Sequence, residues 1–242
     1  MYAFVYDHKN DDYKLVIAED HKHGSSVYAY TLGSNSWKTD IEVPYRFFND
    51  RISGVFVNGW FHWLAADKGC WQSKLIVSLD IRDVRFEELE LPMELKEEHE
   101  HYGRFITEGV LEGCLCILAV DTGYNHPGPV EVWAMQDYGV RESWTKRYTI
   151  KNEIIIRIIY PWCPTRTLSF ICCFKNGKIL FKTFLGKLVL YDPKDGSAVE
   201  RDIKSICNLR SKVIYTESLV SVNSGNYVRK GEIQELFETE DA

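Results

Sequence analysis

Two pairs of cysteines have side chains that could bind a metal ion. Cys114 and Cys116 are separated by one residue, and Cys172 and Cys173 are adjacent. Structural zinc sites favour cysteine pairs with two to four intervening residues on a turn. On a strand, by contrast, Cys114 and Cys116 would point to one apolar face. The spacing therefore predicts core packing for these thiols and no bound metal.

Histidine offers two further candidates. The segment His99-Glu100-His101 would place both imidazoles on one side of an extended chain, but it lies in a Glu-rich stretch that favours a solvated loop. His62, within Trp60-Phe61-His62-Trp63, has the chemistry of a base or a metal ligand. No nucleophile or second ligand is near it in sequence. We therefore predict that His62 is buried and hydrogen-bonded inside a single repeat of the fold.

The usual catalytic and cofactor motifs are missing from the sequence. It contains no Gly-x-Gly-x-x-Gly, no phosphate-binding Gly-x₄-Gly-Lys-Ser/Thr, no Gly-x-Ser-x-Gly and no His-Glu-x-x-His. Carboxylates do occur at predicted strand ends, as at Asp7, Asp80 and Asp192. An aspartate in this place ordinarily bonds its own backbone two residues on. We expect neither an enzyme nor a cofactor.

Composition and charge restrict the partners and the compartment. The chain has 242 residues, 45% of them apolar, and its 29 basic and 35 acidic residues give a net charge of −6. Without a run of Lys and Arg, neither nucleic acid nor an anionic membrane surface is an expected partner. No apolar stretch approaches the roughly 20 residues of a membrane span, and no secretory signal begins the chain. Seven cysteines, several of them inside apolar runs, favour a reduced protein of the cytoplasm or nucleus.

A unit of four short apolar runs recurs along the chain. The most regular run alternates in hydrophobicity, and its equivalent positions are spaced by 49, 54 and 58 residues: Tyr30, Leu79, Trp133 and Tyr191. Each is preceded by a turn signal that joins two more runs: Asn10, Gly59, Gly113 and Gly177. A fourth run follows each time. Four strands at a period near 50 are typical of propeller blades, so we predict an all-β fold of about four four-stranded antiparallel blades.

This domain is predicted to cover residues 1–222. Its last apolar run, Val213 to Val222, has no blade of its own and is predicted to be a closing C-terminal strand, because ring closure removes unpaired edges. Residues 223–242 are acidic and are predicted to form a disordered tail.

Four motifs in a fixed order resemble the plant F-box-associated domain, which is kelch-like. They are Tyr2-Ala3-Phe4-Val5-Tyr6-Asp7, Val57-Asn58-Gly59-Trp60-Phe61-His62-Trp63-Leu64-Ala65, Glu131-Val132-Trp133-Ala134-Met135 and Glu142-Ser143-Trp144-Thr145-Lys146. The resemblance extends to the segment Glu217-Ser218-Leu219-Val220, which is similar to the family's closing segment.

The resemblance implies a module that selects proteins for ubiquitination. Members of the family typically carry an F-box that docks on the Skp-type adaptor of a cullin-based ubiquitin ligase. This sequence begins partway through the associated domain, and we recognise no F-box in it. Adaptor binding is therefore expected only if an F-box is supplied upstream or by a partner. The family's usual first stretch is also missing, which predicts an incomplete ring or a strained closure.

Aromatic residues in polar, irregular segments are the predicted contacts for a protein target, because aromatic anchors dominate protein interfaces. These candidates are Trp71, Tyr124, His126 and Trp162. Tryptophans that recur along the blades are instead predicted to be core: Trp37, Trp63, Trp133 and Trp144.

The sequence thus favours a non-enzymatic, protein-binding module. Two alternatives stay open. One is a propeller enzyme acting on a sugar or small molecule, which would need at least two converging carboxylates or a metal cluster. The other is a truncated relative without independent activity.

Overall fold

The computed structural model describes residues 1–47, 54–67, 70–96, 104–121, 128–151, 155, 168–183 and 187–201. The chain divides into two units, Met1–Lys212 and Val213–Ala242. The second unit contains the predicted closing strand and the predicted tail, and it lies outside the described residues.

The described part of the chain is almost entirely β-structure. The strands are β1 (Tyr2–Asp7), β2 (Asp12–His21), β3 (Gly24–Thr31), β4 (Ser36–Val43), β5 (Tyr45–Phe47), β6 (Val55–Val57), β7 (Trp60–Asp67), β8 (Cys70–Asp80), β9 (Arg85–Leu89), β10 (Arg104–Leu111), β11 (Cys114–Asp121), β12 (Val130–Met135), β13 (Trp144–Ile150), β14 (Leu168–Cys173), β15 (Ile179–Thr183), β16 (Leu188–Tyr191) and β17 (Ala198–Arg201). The described residues also form a one-turn helix, α1 (Met93–Lys96), and a 3₁₀ turn at Arg141–Ser143. None of the helical segments described is long and apolar enough to cross a bilayer.

Four antiparallel sheets follow one another in chain order, as the repeat predicts. Sheet 1 is β1-β2-β3-β4, sheet 3 is β10-β11-β12-β13 and sheet 4 is β14-β15-β16-β17. Sheet 2 has the order β5-β7-β8-β9, and β6 also pairs with β7. The four predicted marker strands are β3, β8, β12 and β16, each the third strand of its unit apart from the added β5. The predicted all-β architecture of four blades is therefore confirmed.

The hairpin within each sheet depends on residues that tolerate positive φ. Asn58 and Gly59 join β6 to β7 with φ of 52° and 85°. Both values lie in the left-handed region that a primed two-residue turn requires, and Asn and Gly adopt it at least cost. The Val57↔Trp60 pair closes this hairpin, and it confirms the predicted turn.

Three hydrophobic cores lie between successive sheets. The first joins sheets 1 and 2 and includes Ala3, Val16 and Trp63. The second joins sheets 2 and 3 through residues such as Leu64 and Ile117. The third joins sheets 3 and 4 and includes Leu118, Phe170 and Phe181. None of the cores within the described residues joins sheet 4 to sheet 1, which is the arrangement of an incomplete propeller.

The tryptophan prediction is correct for three of its four residues. Trp63, Trp133 and Trp144 are buried, with exposed fractions of 1%, 4% and 7%. Trp37 was predicted to be core, but it is 50% exposed. It lies on the face of sheet 1 that points away from sheet 2, where none of the described cores reaches it.

Sheets 3 and 4 approach each other closely at Gly109. A Cβ added at Gly109 would lie 2.8 Å from the Cβ of Phe170 on β14. We expect Gly109→Ala to lower the free energy of unfolding by about 1–3 kcal/mol, because the extra methyl overpacks a filled core. Urea denaturation measures this change.

Gly33→Ala is the matched control for Gly109→Ala. Its added Cβ would meet only the carboxylate of Asp12, which accepts the backbone N–H of Gly33 at 2.8 Å and would have to shift on an exposed side chain. Its expected cost is below about 1 kcal/mol, the net value of one such hydrogen bond. Equal costs for the two variants would contradict the close approach of the sheets.

Candidate protein-binding surfaces and buried polar links

The predicted target contacts fall largely outside the described residues. Tyr124, His126 and Trp162 all lie there. Trp71 was placed in an irregular segment, but the backbone there belongs to β8, and its side chain is not described. The structure does not bring these four side chains together or separate them, so their role stays a prediction.

Three of the four cysteines that could have held zinc pack in or against the third core, and none of the four is in a disulfide. Cys116 is fully buried in that core, and Cys114 and Cys173 pack against it from its edge. Burial raises the pKa of Cys173, so this thiol is protonated at neutral pH. The predicted core packing of Cys114 and Cys116 on one face is confirmed. Among the described side chains, no three of His, Cys, Asp or Glu converge as metal ligands.

The strand-end aspartates make the predicted local bonds. The carboxylate of Asp7 accepts the backbone N–H of Lys9 at 3.1 Å, that of Asp80 accepts from Arg82 at 3.0 Å, and that of Asp192 accepts from Lys194 at 3.0 Å. Each bond closes a turn two residues after the strand. The prediction of turn chemistry at these positions is confirmed.

A buried ion pair links sheets 1 and 2. Lys14 Nζ lies 3.1 Å from Asp7 Oδ2, and it donates to the carbonyl of Arg82 at 2.7 Å, in the turn that joins β8 to β9 of sheet 2. Burial alone would raise the pKa of Asp7, but hydrogen bonds from Asn10 and Lys14 outweigh it and lower that pKa to about 2. Asp7 is therefore ionised at neutral pH, and Lys14 is the cation that neutralises it inside the protein.

His62 links sheets 2 and 3. The side chain is fully buried on β7, its Nδ1 lies 3.1 Å from the carbonyl of Val55, and its Nε2 lies 2.8 Å from the hydroxyl of Tyr138. A carbonyl only accepts, so Nδ1 carries the proton and Nε2 accepts from the Tyr138 hydroxyl. The predicted buried, hydrogen-bonded role is correct. The prediction placed its hydrogen bonding inside one blade, and Val55 does lie in sheet 2, but Tyr138 follows β12 of sheet 3, so the bonding spans two sheets.

Burial keeps His62 neutral. Desolvation of the imidazolium lowers its pKa from 6.5 to about 4. With Nδ1 bonded to a carbonyl and Nε2 to a hydroxyl, the ring has no carboxylate to stabilise its charged form. The unfolded chain, by contrast, binds a proton at His62 below pH 6.5.

This difference predicts a loss of stability in mild acid. Between pH 6.5 and pH 4 the unfolded state binds the His62 proton and the folded state does not, so the free energy of unfolding falls with falling pH. The shift from 6.5 to about 4 corresponds to a total of about 3 kcal/mol. Urea midpoints measured between pH 4 and pH 7 test this fall.

His62→Gln is the control for the pH dependence. Glutamine keeps a donor for Val55 and an acceptor for Tyr138 but does not titrate. The variant should show a much flatter stability profile between pH 4 and pH 6.5. Equal slopes for the variant and the wild type would exclude His62 as the cause.

One face of sheet 1 carries adjoining aromatic side chains, and we call it the aromatic face. Directly paired residues point to the same side of a sheet, and the register places five aromatic residues and one leucine together: Phe4, Tyr6, Tyr13, Tyr30 and Trp37, with Leu15. Phe4 stacks on Tyr13 with ring centroids 5.5 Å apart, and Tyr30 packs against Trp37 at 5.1 Å. Phe4 is 59% exposed. An exposed apolar patch of this kind is typical of a protein interaction surface.

Carboxylates border the aromatic face at both ends. At one end, the Asp11 carboxylate accepts a hydrogen bond from the Tyr6 hydroxyl. At the other, Glu19 and Glu42 are both paired with Ser26 and therefore share this face. Hydrogen bonds from Ser26 and His21 lower the pKa of Glu42, so Glu42 is an anion at neutral pH.

The two lysines on the strands of sheet 1 point away from the aromatic face. Lys14 pairs with Thr31, and Lys38 pairs with the buried Ala29, which places both on the opposite side. The aromatic face is thus acidic and apolar. The alternating aromatics of β1 and β3 are the signal in the sequence that could have identified it.

Comparisons with known proteins agree on one family. A family model described as the F-box associated beta propeller domain matches residues 1–222. Three Arabidopsis thaliana proteins are similar over most of this chain. F-box protein At3g07870 is 28% identical over 81% of this chain and 48% of its own length. F-box protein CPR1 is 28% identical over 90% and 55%, and F-box/kelch-repeat protein At3g23880 is 26% identical over 92% and 56%.

The chain spans about half the length of the curated relatives it matches. Among solved structures, the crystal structure of endo-arabinase from Bacteroides thetaiotaomicron is similar over 82% of this chain and 72% of its own. Its TM-score of 0.41 and its identity of 12% are too low to indicate a shared activity.

Proposed function

Because the chain belongs to the F-box associated beta propeller family, we propose that it recognises protein targets for an SCF-type ubiquitin ligase. The observation that carries the proposal is the match of the family over residues 1–222 together with relatives that are F-box proteins. In this role the domain selects a protein, and other subunits of the ligase transfer ubiquitin. The domain itself has no catalytic step to perform.

The fold supports this role because it holds loops on a stiff frame. Three continuous cores fix the sheets to one another, and the Lys14 and His62 links cross two of the three sheet boundaries. Binding residues are typically found on loops that a rigid scaffold positions. In the proposal, the aromatic anchors for the target are Tyr124, His126 and Trp162, which are predicted in irregular segments, and Trp71, whose backbone belongs to β8.

Connection to the ligase requires an F-box, which binds the Skp-type adaptor in this type of complex. In the proposal, the F-box is supplied upstream in the same polypeptide or by a partner protein. No disulfide involves the four described cysteines, Cys114, Cys116, Cys172 and Cys173, which supports work in the reducing cytoplasm or nucleus.

Proximity labelling in plant cells tests target recognition. The full chain, fused to a labelling enzyme, is expressed while the proteasome is inhibited, beside a variant with Trp71, Tyr124, His126 and Trp162 changed to Ala. We expect a small set of proteins to be labelled at least tenfold less by the variant than by the wild type. The same proteins should become longer-lived when the gene for this chain is disrupted.

Phe174→Ala is the matched control. Phe174 is an aromatic residue, 46% exposed, that directly follows β14, and its loss should leave the labelled set unchanged. Identical sets for the wild type and the quadruple variant would refute the four predicted anchors. Unchanged lifetimes after gene disruption would refute the role in protein degradation.

A further inference from the structure

The two end sheets of the described structure each have one face outside the three cores. On sheet 1 this is the aromatic face, and on sheet 4 it is the side turned away from sheet 3. Each inner sheet contributes both of its faces to cores. The two end faces are therefore the places where the described packing of sheets stops.

The end face of sheet 4 is aliphatic, and we call it the aliphatic face. Leu180 pairs with Leu190, and Leu190 pairs with Val199, so all three side chains point to one side. The adjacent residues in the sequence, Val189 and Phe181, point to the other side of the sheet and are buried in the third core. Val199 is 44% exposed.

Basic residues belong to the aliphatic face. Leu188 pairs with both Lys182 and Arg201, which places two cations beside the leucines. Within the described strands of sheet 4, the single acidic residue is Glu200, which pairs with Val189 and so points to the other side. The aliphatic face is therefore basic where the aromatic face is acidic.

The structure already contains an example of the contact that the aromatic face lacks. Trp144, like Trp37, lies near the start of the fourth strand of its sheet and points towards the side of the preceding sheet. In sheet 3 that side is covered by sheet 2: Trp144 is 7% exposed, and its Nε1 donates to the carbonyl of Glu90 at 3.0 Å, just after β9. Trp37, in the corresponding place on sheet 1, is 50% exposed.

We propose that the aromatic face of one copy binds the aliphatic face of a second copy, which forms a fourth sheet-on-sheet core between two molecules. The proposal does not depend on the function proposed above. We call the side of a sheet that is turned towards the next sheet along the chain its forward side, and the opposite side its rear side. In each of the three cores, the forward side of one sheet packs on the rear side of the next. The aliphatic face is the forward side of sheet 4, and the aromatic face is the rear side of sheet 1. Their contact repeats an arrangement that this sequence already uses.

Charge selects this pairing over the alternatives. Lys182 and Arg201 of one copy face an apolar surface bordered by Asp11, Glu19 and Glu42 of the other. Two aromatic faces would bring like charges together, which disfavours a symmetric dimer. Because the two contacting faces differ, the contact is head-to-tail, and the assembly either closes into a ring or continues as a filament.

Light scattering coupled to size exclusion tests the proposal with the full chain at increasing protein concentration. We expect a molar mass of at least twice the 28.2 kDa of one chain. Trp37→Glu blocks the aromatic face, and Val199→Glu blocks the aliphatic face. Both residues are substantially exposed, so each variant should fold, which circular dichroism and a cooperative thermal transition verify. Each variant alone should be monomeric.

Mixing the two variants gives the decisive result. Each still has one intact face, so a head-to-tail contact predicts a dimer of one Trp37→Glu chain and one Val199→Glu chain, with no larger species. Dimers of Val199→Glu alone would show a symmetric contact between aromatic faces and overturn the proposal. A wild-type monomer at every concentration would also overturn it.

Arg201→Glu tests the electrostatic part separately. Arg201 is exposed and ends β17. Reversing its charge should weaken association at least tenfold at low salt and less at high salt, where screening is stronger. An unchanged dissociation constant would refute the contribution of charge to the pairing.

Discussion

Replacing Lys14 by Met should lower the free energy of unfolding by about 3 kcal/mol, because it leaves the Asp7 carboxylate buried without its cation. Asp7 is 3% exposed and Lys14 is 9% exposed. Asn10 and the backbone N–H of Lys9 still bond Asp7 in the variant, so the expected loss lies at the lower end for a broken buried ion pair. Urea denaturation at pH 7 measures it.

A double-mutant cycle isolates the interaction of Lys14 with Asp7. Asp7→Asn removes the charge and keeps the shape, and in the double variant neither charge is buried. The cost of the double variant should be less than the sum of the single costs by about 1–3 kcal/mol. Additive costs would mean that the two residues act independently.

Arg147→Met is the matched control for an exposed ion pair. Arg147 Nη2 lies 3.0 Å from Glu112 Oε2, but both side chains are well exposed. Its loss should cost less than about 1 kcal/mol. The contrast with Lys14→Met would show that burial, rather than the presence of an ion pair, determines the effect.

The strands were predictable because each depends on local chemistry. Alternating apolar residues locate the marker strands, and residues that tolerate positive φ, such as Asn58 and Gly59, locate the hairpins between them. Turn-forming aspartates such as Asp80 end strands through a bond to their own backbone. All of these signals lie within a few residues of the structure that they specify.

The contacts between sheets were not predictable in the same way. Tyr138 is 76 positions from His62, and nothing near either residue indicates the bond. Strand β5 has three residues, which is too few for a period of two to be visible. Strand β7 is buried on both sides and, apart from His62 and the terminal Asp67, is apolar, so alternation does not show which side meets which sheet.

The second large effect is expected at Trp63, and it distinguishes the core between sheets 1 and 2 from the aromatic face. Trp63 is 1% exposed, stacks on Phe61 with centroids 5.9 Å apart and meets Phe47 edge-on at 6.1 Å. A Cβ added at Gly54 would lie 2.5 Å from its ring, so the backbone also packs directly on the indole. Removing this side chain leaves a large cavity that surrounding residues cannot fill. Trp63→Ala should therefore cost about 3–5 kcal/mol.

Trp37→Ala is the matched substitution of an exposed tryptophan. Trp37 is 50% exposed and touches Tyr30 at 5.1 Å, so its loss should cost no more than about 1 kcal/mol. Urea midpoints of both variants, measured at low protein concentration where copies are dissociated, give the comparison. A cost at Trp37 close to that at Trp63 would mean that the aromatic face is covered within the single chain. The expected difference instead leaves that face available for a partner, because its rings contribute little to the stability of the isolated molecule.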